Sequence, residues 1–186
     1  MSYILVLYYS QHGATKKLAE RIAMGIESEN LEARVRTVST EHPSVHHSVV
    51  SEQDLEQCIG LALGSPTRFG QMAWRLQKFM QNTSAQWLKG VLEDKPAIVF
   101  TSSSSMHGGQ ESTLLSMALP LLHHGMLLSG IPYSAPELHQ TTTGGSPYGA
   151  SHVVQNEYAD KLSDDEKKLA FESGKRLARL ARKLKE

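Results

Sequence analysis

The chain has 186 residues, of which 40% are hydrophobic, and it carries 19 basic and 19 acidic side chains. This is the size of a single domain, residues 1–186, that can bury a full core without disulfides or metals. A formal net charge of zero provides no strong field for a nucleic-acid backbone or an anionic membrane, so the composition argues against both partners. The sequence shows no secretory leader pattern and no apolar run near the roughly 18 residues of a membrane span, which predicts a cytoplasmic protein without membrane insertion.

The first predicted strand is a continuous apolar run over residues 3–8, and it leads into a loop of small and polar residues at positions 10–15. Apolar residues then recur at helical spacing over residues 18–26, so a helix follows the loop. The loop contains no lysine or arginine. An anion held there would be bound by backbone N–H groups, by the Ser10 and Thr15 hydroxyls and by the positive end of the helix. This layout predicts a pocket for the phosphate of a cofactor.

The succession of strand, loop and helix repeats along the chain, which predicts a mainly parallel, doubly wound α/β sheet with helices on both faces. The other predicted strands span residues 33–38, 58–63, 97–101 and 127–131. Open sheets of this kind bind ligands beyond the carboxyl ends of their strands. Three loops rich in Ser, Thr and Gly follow such ends, at residues 10–15, 65–70 and 102–109. We therefore predict a cofactor cleft at this edge of the sheet.

Helical spacing assigns further helices after the third strand and in the C-terminal third of the chain. Four apolar residues share one face of the first of these and are interpreted as core packing rather than as cofactor contacts: Met72, Leu76, Phe79 and Met80. A helix over residues 114–122 contains Pro120, which removes a backbone donor and predicts a kink or a break. Ser163 and Glu166 have the spacing of a capping box, which places the start of the last helix.

The cysteine and the histidines of the chain predict no metal site. Cys58 lies among apolar residues, which favours a packed thiol over a nucleophile. Three histidines fall in a long predicted loop over residues 40–54, where no carboxylate or thiolate stands at a ligand spacing, so a solvated loop is favoured. They are His42, His46 and His47. A second long loop is predicted over residues 133–160, and long loops of this kind tend to be functional or to cover an interface.

Five segments match the motifs of one protein family in the same order. They are Tyr8-Tyr9-Ser10 with Gly13, the sequence GSPTRFG at 64–70, Gly108-Gly109-Gln110-Glu111, His123-His124-Gly125-Met126, and the sequence GGSPYGA at 144–150. On these residues the chain resembles the WrbA family of flavodoxin-like NAD(P)H:quinone oxidoreductases. The resemblance reaches across most of the chain and implies a flavodoxin-like, five-stranded parallel sheet. It also implies FMN as cofactor, NADH or NADPH as electron donor, a quinone substrate, and a homotetramer whose active sites are completed by neighbouring subunits.

The same resemblance implies which residues contact FMN. The 10–15 loop would surround the phosphate, in agreement with the anion pocket, while residues 67–69 would border the ring and the 102–108 loop would pass along it. The residues implied are Ser10, Gln11, His12, Gly13, Ala14, Thr15, Thr67, Arg68, Phe69, Ser102, Ser103, Ser104, Ser105, Met106, His107, Gly108 and His123. Without the resemblance, a surface salt bridge is an equally good interpretation of Arg68. The 102–108 segment would then be interpreted as a flexible serine loop.

Three side chains are implied to act in the reaction. His123 would be catalytic, because a histidine at the pyrimidine edge of the flavin can hydrogen-bond the reduced ring; the alternative is a hydrogen-bonded interface histidine. Trp87 would flank the substrate space, where its face can stack on a quinone, and the alternative is a core or interface tryptophan. His12 stands where many family members carry tyrosine and would contact the nicotinamide, unless it is a loop residue facing water. Together with the less glycine-rich 105–107 segment, this departure leaves the choice between NADH and NADPH open.

The predicted function is two-electron reduction of a quinone in two half-reactions. A nicotinamide delivers hydride to the flavin and leaves, and the quinone then takes two electrons at the same face, while the protein positions both substrates. Two alternatives stay open. One is a non-enzymatic flavodoxin-like electron carrier, although such carriers usually present an acidic face that the balanced charge does not suggest. The other is a regulatory FMN-binding or nucleic-acid-binding module, for which the sequence offers neither a helix-turn-helix pattern nor a basic stripe.

Overall fold

The computed structural model describes residues 2–39, 47–155 and 161–185. In this part of the chain, strands and helices alternate along the sequence as predicted. The strands are β1 (Tyr3–Tyr8), β2 (Glu32–Thr37), β3 (Leu61–Pro66), β4 (Pro96–Ser103), β5 (Leu127–Leu128) and β6 (Ala150–Val153). The helices are α1 (Ala14–Glu27), α2 (Glu52–Gln57), α3 (Trp74–Gln81), α4 (Ser84–Leu88), α5 (Gln110–His123), α6 (Glu137–Gln140) and α7 (Asp164–Lys185).

The strands form one parallel sheet in the order β2-β1-β3-β4-β5, and β6 pairs with β4 as well. Two short strands, β5 and β6, therefore share the edge of the sheet next to β4. Leu128 of β5 pairs with Ala97, and Ala150 of β6 pairs with Phe100, three residues further along β4. Residues 129–149 leave the sheet between these two pairs. The predicted doubly wound parallel sheet is confirmed.

Two strands differ most from their predicted ranges: β3 begins and ends three residues later than the predicted 58–63, and β5 is shorter than the predicted 127–131. Regular pairing with β4 ends at Leu128, although the Ser129 backbone N–H still donates to the Ala97 carbonyl at 2.8 Å. The Ile131 N–H donates instead to the Pro147 carbonyl at 2.9 Å, because the chain has turned away from β4 by this point. The predicted loop over residues 133–160 is also wrong in part, because it contains α6 and β6.

The predicted ends of the helices are tested at two places. The sequence predicts a kink or a break at Pro120. Pro120 lies inside α5, which runs unbroken from Gln110 to His123, so the break does not occur. The capping box at the start of α7 is confirmed: the Glu166 N–H donates to Ser163 Oγ at 3.2 Å, and the Ser163 N–H donates to Glu166 Oε2 at 2.8 Å.

The core lies in two layers, one on each face of the sheet. Alternate residues of β1 contribute to the two layers, since successive side chains of a strand point to opposite faces. Helices α1 and α7 cover one face, and the four residues predicted to pack after β3 are confirmed on the other, where Phe79 is half-buried. Met72 lies on this face but before the first residue of α3, Trp74, and not on the helix as predicted. Cys58 is buried there with its thiol bonded to the Leu55 carbonyl, and burial raises the pKa of the thiol. The prediction of a packed thiol is confirmed.

Two features are absent from residues 2–39, 47–155 and 161–185, a membrane-spanning helix and a cluster of metal ligands. No helix in these ranges is both long and apolar enough to cross a bilayer. The same ranges hold no group of three or more His, Cys, Asp or Glu side chains placed to bind a metal ion. His42 and His46 lie outside the described residues. His47 is described, and its Nδ1 atom lies 2.8 Å from the Tyr8 hydroxyl, to which it is hydrogen-bonded.

Helices α1 and α7 approach each other closely at two glycines. A Cβ atom on Gly174 would lie 2.1 Å from the Ile22 carbonyl oxygen, and one on Gly25 would lie 2.0 Å from the Phe171 carbonyl oxygen. Both obstacles are backbone atoms, so an added methyl group would force the helices apart.

We expect Gly174→Ala to lower the free energy of unfolding by about 2 kcal/mol, because overpacking outweighs the gain in helix propensity. Urea denaturation measures this difference. Lys183→Ala, at an exposed position of the same helix, is the control and should change stability little. Equal stability of Gly174→Ala and the wild type would contradict the close helix contact.

Candidate functional site

A cleft of about 500 Å³ lies beyond the carboxyl ends of β1, β3 and β4, where the sequence predicts it. Its volume is in the range of small-molecule and cofactor sites. A larger groove of about 810 Å³ lies between α7 and the 131–137 segment, but none of the three predicted loops reaches it. The cleft is lined by Ser10, Gln11, His12, Ala14, Thr15, Pro66, Thr67, Arg68, Phe69, Ser102, Ser103, Ser104, Ser105, Gly108 and Val154.

The first loop of the cleft is a tight turn into α1. The Gly13 N–H donates to Ser10 Oγ at 3.0 Å, and Gly13 has a φ of +89°, a conformation that favours glycine. Helix α1 begins at the next residue, so its first N–H groups have no acceptor within the helix and point out of its end. The buried Thr15 hydroxyl lies 2.8 Å from Ser102 Oγ, which joins the turn to β4. This end of the cleft offers hydrogen-bond donors and a helix dipole to an anion.

The second loop is fixed by a row of threonine hydroxyls beneath it. The Thr67 N–H donates to the Ser102 carbonyl at 2.7 Å. Thr67 Oγ1 is hydrogen-bonded to Thr101 Oγ1 at 3.3 Å and accepts from Thr113 Oγ1 at 3.2 Å. Thr101 Oγ1 in turn donates to the Ser65 carbonyl at 2.7 Å. These bonds connect β3, β4 and α5 and hold the backbone at Thr67 in place.

Arg68 extends across the mouth of the cleft. Its guanidinium donates to Gln11 Oε1 at 2.8 Å and to the Thr67 carbonyl at 2.9 Å. Both acceptors are neutral, so these bonds leave the positive charge of Arg68 uncompensated at the cleft. The geometry agrees with a place beside a ligand better than with the alternative of a surface salt bridge.

Phe69 presents its whole side chain to solvent at the same mouth. Its exposure is 105%, and its φ of +51° is rare for a residue with a bulky side chain. Next to it, Gly70 meets Gly109 of the third loop, where an added Cβ on Gly109 would lie 3.0 Å from the Gly70 Cα atom. The second and third loops therefore contact each other through backbone, and Phe69 stands above this contact.

The third loop is braced by hydrogen bonds between its own residues and to the start of α5. The Ser105 carbonyl accepts from Ser103 Oγ at 2.8 Å and from Gln110 Nε2 at 3.0 Å. Gln110 is buried, and its Oε1 atom has no hydrogen-bond partner among the described residues. At the tip of the loop, His107 has a φ of +53°, a strained conformation for a non-glycine residue.

The cleft brings together most, though not all, of the residues predicted to contact a cofactor. Gly13 shapes the turn without lining the cleft, and Met106 and His107 lie at the loop tip outside the lining. Two lining residues were missed by sequence reasoning, Pro66 and Val154. Pro66 is the last residue of β3 and precedes the predicted Thr67, whereas Val154 follows β6, a strand that the sequence did not reveal.

His123 and Trp87 lie in a different depression, of about 570 Å³, whose lining shares no residue with the cleft. The Trp87 indole N–H donates to the His123 carbonyl at 2.8 Å. Helix α5 starts at the cleft with Gln110 and ends at His123, and 14 helical residues span about 20 Å. In one subunit, the predicted catalytic histidine is thus far from the cleft.

The neighbouring His124 is the structural histidine of the pair. It is buried and bonded through Nε2 to Thr83 Oγ1 at 2.9 Å. Burial, together with the charge of His123, lowers the pKa of His124. His123 is exposed and remains available to a second molecule.

The sheet order, the turn into α1 and the cleft at the carboxyl edge are those of a flavodoxin-like protein, and residues 5–123 match the flavodoxin domain family. The chain is 36% identical to an NAD(P)H dehydrogenase (quinone) of Gluconacetobacter diazotrophicus, with 99% of both chains covered. It is 37% identical to a protein of the same name from Syntrophobacter fumaroxidans, over 97% of this chain and 98% of that one. A crystal structure of a WrbA-like flavodoxin from Agrobacterium tumefaciens superposes with a TM-score of 0.75 at 26% identity, covering 98% of this chain and 99% of the other.

The protein therefore belongs to the WrbA-like family of NAD(P)H dehydrogenases (quinone). The resemblance inferred from the five sequence motifs is confirmed.

Proposed function

We propose that the protein is an FMN-dependent NAD(P)H:quinone oxidoreductase that reduces quinones by two electrons. The main support is the group of hydrogen-bond donors that line the cleft, taken together with the names of the chain's full-length relatives. A helix N-terminus and the hydroxyls of Ser10, Thr15 and Ser102 face one end of a cavity of about 500 Å³, while loop backbone and the Phe69 ring border the other. A phosphate suits the first end, and a planar ring suits the second.

The residues of the cleft fit FMN in their chemistry. The 10–15 turn would hold the phosphate through N–H and hydroxyl donors, with no lysine or arginine in the turn itself. Thr67, Arg68 and Phe69 would border the ring, and the 102–108 loop would approach it through backbone. The unpartnered Oε1 of buried Gln110 supports a polar group near this loop. Bound FMN would supply the redox chemistry, by accepting a hydride and passing two electrons on.

The protein's own groups would orient the reactants and exclude water. Arg68, whose charge is not neutralised by any carboxylate of the described residues, would attract the anionic nicotinamide donor, and His12 lines the same mouth. The exposed Phe69 ring would provide apolar surface to the planar substrate. No nucleophile or strong general base would be required of the protein, because the nicotinamide and the flavin, when bound, would supply the hydride chemistry.

We further propose a homotetramer in which His123 and Trp87 serve the cleft of a neighbouring subunit. The outer face of α5 exposes three leucines, Leu115 by 49%, Leu119 by 61% and Leu122 by 54%, and Trp87 is 51% exposed beside them. Apolar patches of this kind mark contact surfaces. Since His123 lies about 20 Å from its own cleft along α5, contact with a flavin requires a second subunit. A cytoplasmic location is part of this proposal, because the reaction draws on the nicotinamide pool of the cell.

The test of the function is an anaerobic stopped-flow experiment on the FMN-loaded protein. We expect NADH or NADPH to bleach the flavin absorbance in a first phase, and benzoquinone to restore it in a second. Initial rates should give parallel double-reciprocal plots, because donor and acceptor use the same site in turn. Bleaching without reoxidation by the quinone would favour an electron carrier. Intersecting plots would contradict the two half-reactions.

A further inference from the structure

His152 and Glu166 form a buried pair behind the phosphate end of the cleft. Neither side chain is exposed, and the His152 Nδ1 atom lies 2.8 Å from Glu166 Oε2. Glu166 also accepts three backbone N–H groups, from Gly144 at 2.9 Å, Val153 at 3.0 Å and Ser163 at 2.8 Å. Burial raises the pKa of this carboxyl, but the hydrogen bond and charge of His152 and the backbone donors outweigh it and hold the pKa below its ordinary value. Glu166 is therefore a carboxylate that accepts four hydrogen bonds.

This arrangement determines which nitrogen of His152 carries a proton. Because the carboxylate can only accept, the Nδ1 atom of His152 must donate. The other ring nitrogen, Nε2, is buried and has no hydrogen-bond partner among the described residues. A buried ring nitrogen without a partner is costly, so its presence calls for a bound group, a water molecule or a role in the site.

The strand register places His152 beside Ser102, whose hydroxyl lines the cleft. His152 pairs with Ser102 across the parallel strands, and paired residues project to the same face of a sheet. On that face Ser102 Oγ lies 2.8 Å from Thr15 Oγ1, at the first turn of α1. Ser102 and Thr15 line the cleft, as does Val154, two residues beyond His152. His152 thus stands one layer behind the predicted phosphate pocket.

Glu166 is the charged group bonded to His152 in the described part of the chain. The buried residues of α1 on this side are uncharged, and those of α7 are uncharged apart from Glu166. They are Thr15, Leu18, Ala19 and Ile22 on α1, and Glu166, Leu169, Ala170 and Ser173 on α7. A proton on Nε2 would therefore be stabilised by the Glu166 carboxylate and by a phosphate in the cleft.

We propose that His152 is a positioning residue for the phosphate of the bound cofactor, and this rests on the proposed FMN site. In the complex, the Nε2–H of His152 donates to Ser102 Oγ, directly or through one water molecule. Ser102 then donates to Thr15, and the Thr15 hydroxyl is left to donate to the phosphate. Without that first donor, nothing orders the two hydroxyls toward the phosphate. The 10–15 turn contains no lysine or arginine, and this buried relay takes part of the role that such a side chain would have.

Two substitutions at position 152 separate the two ring nitrogens. In His152→Asn the amide nitrogen occupies the place of Nδ1, so the bond to Glu166 is kept and the donor to Ser102 is lost. In His152→Gln the amide nitrogen occupies the place of Nε2 and restores that donor. We expect His152→Asn to weaken FMN binding about tenfold or more, the size of a charge-assisted hydrogen bond, and His152→Gln to recover part of the loss.

Riboflavin, which lacks the phosphate, is the matched probe. Its affinity should differ by less than about twofold between wild type and His152→Asn, because the relay acts only on a phosphate. Ser151→Ala is the control variant: Ser151 Oγ accepts the Gly145 N–H at 2.7 Å in the same segment but lies outside the cleft lining. It should leave both affinities unchanged. An equal loss of FMN and riboflavin affinity in His152→Asn would overturn the proposal.

Nitrogen-15 NMR of the histidine rings in the wild type tests the relay without any substitution. We expect both His152 nitrogens to carry protons in the FMN complex, and Nε2 to lack one in the riboflavin complex. An unprotonated Nε2 in the FMN complex would overturn the relay even if His152→Asn fails to fold. Failure of the wild type to bind FMN would instead remove the proposed function, and the relay with it.

Discussion

Replacement of Glu166 by alanine is expected to destabilise the folded protein by about 3–5 kcal/mol, the largest stability effect that we predict for a single site. The substitution leaves the backbone N–H groups of Gly144, Val153 and Ser163 and the ring of His152 without their shared acceptor. All of these bonds are buried. Urea denaturation followed by circular dichroism measures the loss, and Glu172→Ala, an exposed position on the same helix, should change stability little.

The same carboxylate predicts how stability depends on pH. The folded-state pKa of Glu166 lies below its ordinary value of 4.5, so its contribution is complete above that value. It is lost as the pH falls through the folded-state pKa, because protonation removes the acceptor. Glu166→Gln should therefore be less stable than the wild type at pH 7 and should lose less stability on acidification. If the two proteins lost the same free energy of unfolding on acidification, the assignment of an ionised Glu166 would be contradicted.

Leu119→Arg is expected to split the proposed homotetramer and to lower quinone turnover about tenfold or more, the largest effect on activity that we predict. Leu119 is 61% exposed on α5, and a charge there cannot be buried against a second subunit without a partner. The 10–15 turn is made within one chain, so the variant should still bind FMN. Light scattering after size-exclusion chromatography measures the mass, and steady-state assays measure the turnover.

The matched control is Leu184→Arg, because Leu184 is 51% exposed near the end of α7, on a different surface. It should assemble and turn over like the wild type. His123→Ala is the complementary variant: it should keep the assembly intact and change the turnover or the flavin midpoint potential. A monomeric Leu119→Arg protein with full turnover would show that neighbouring subunits contribute nothing to the reaction.

The part of the site that the sequence predicted best is local in the chain. The 10–15 turn follows directly from a buried strand and precedes a helix, so its place at the cleft could be inferred from consecutive residues. The meeting of the turn with the 67–69 and 102–108 loops followed from a general property of parallel sheets. The location of these loops was predictable from the sequence. Their hydrogen bonds, such as that between Arg68 and Gln11, became known only from the structure.

What the sequence did not reveal depends on contacts between distant parts of the chain. Strand β6 lies in a segment rich in Gly, Ser and Thr, and it becomes a strand by pairing with β4, so Val154 could not be placed in the cleft. The bond between His152 and Glu166 was hidden for the same reason. His123 illustrates a different limit: a motif match carries no distance, and only the length of α5 shows that this residue is remote from its own cleft.

The interrupted last strand has a consequence for how such a protein can diversify. The residues that flank the 129–149 segment both pair with β4, Leu128 with Ala97 and Ala150 with Phe100. The two ends of this excursion are therefore neighbours in space. The number of residues in the excursion can therefore change without shifting the pairing register of the other strands. Insertions or deletions in this excursion can remodel an outer surface while the rim of the cleft keeps its shape.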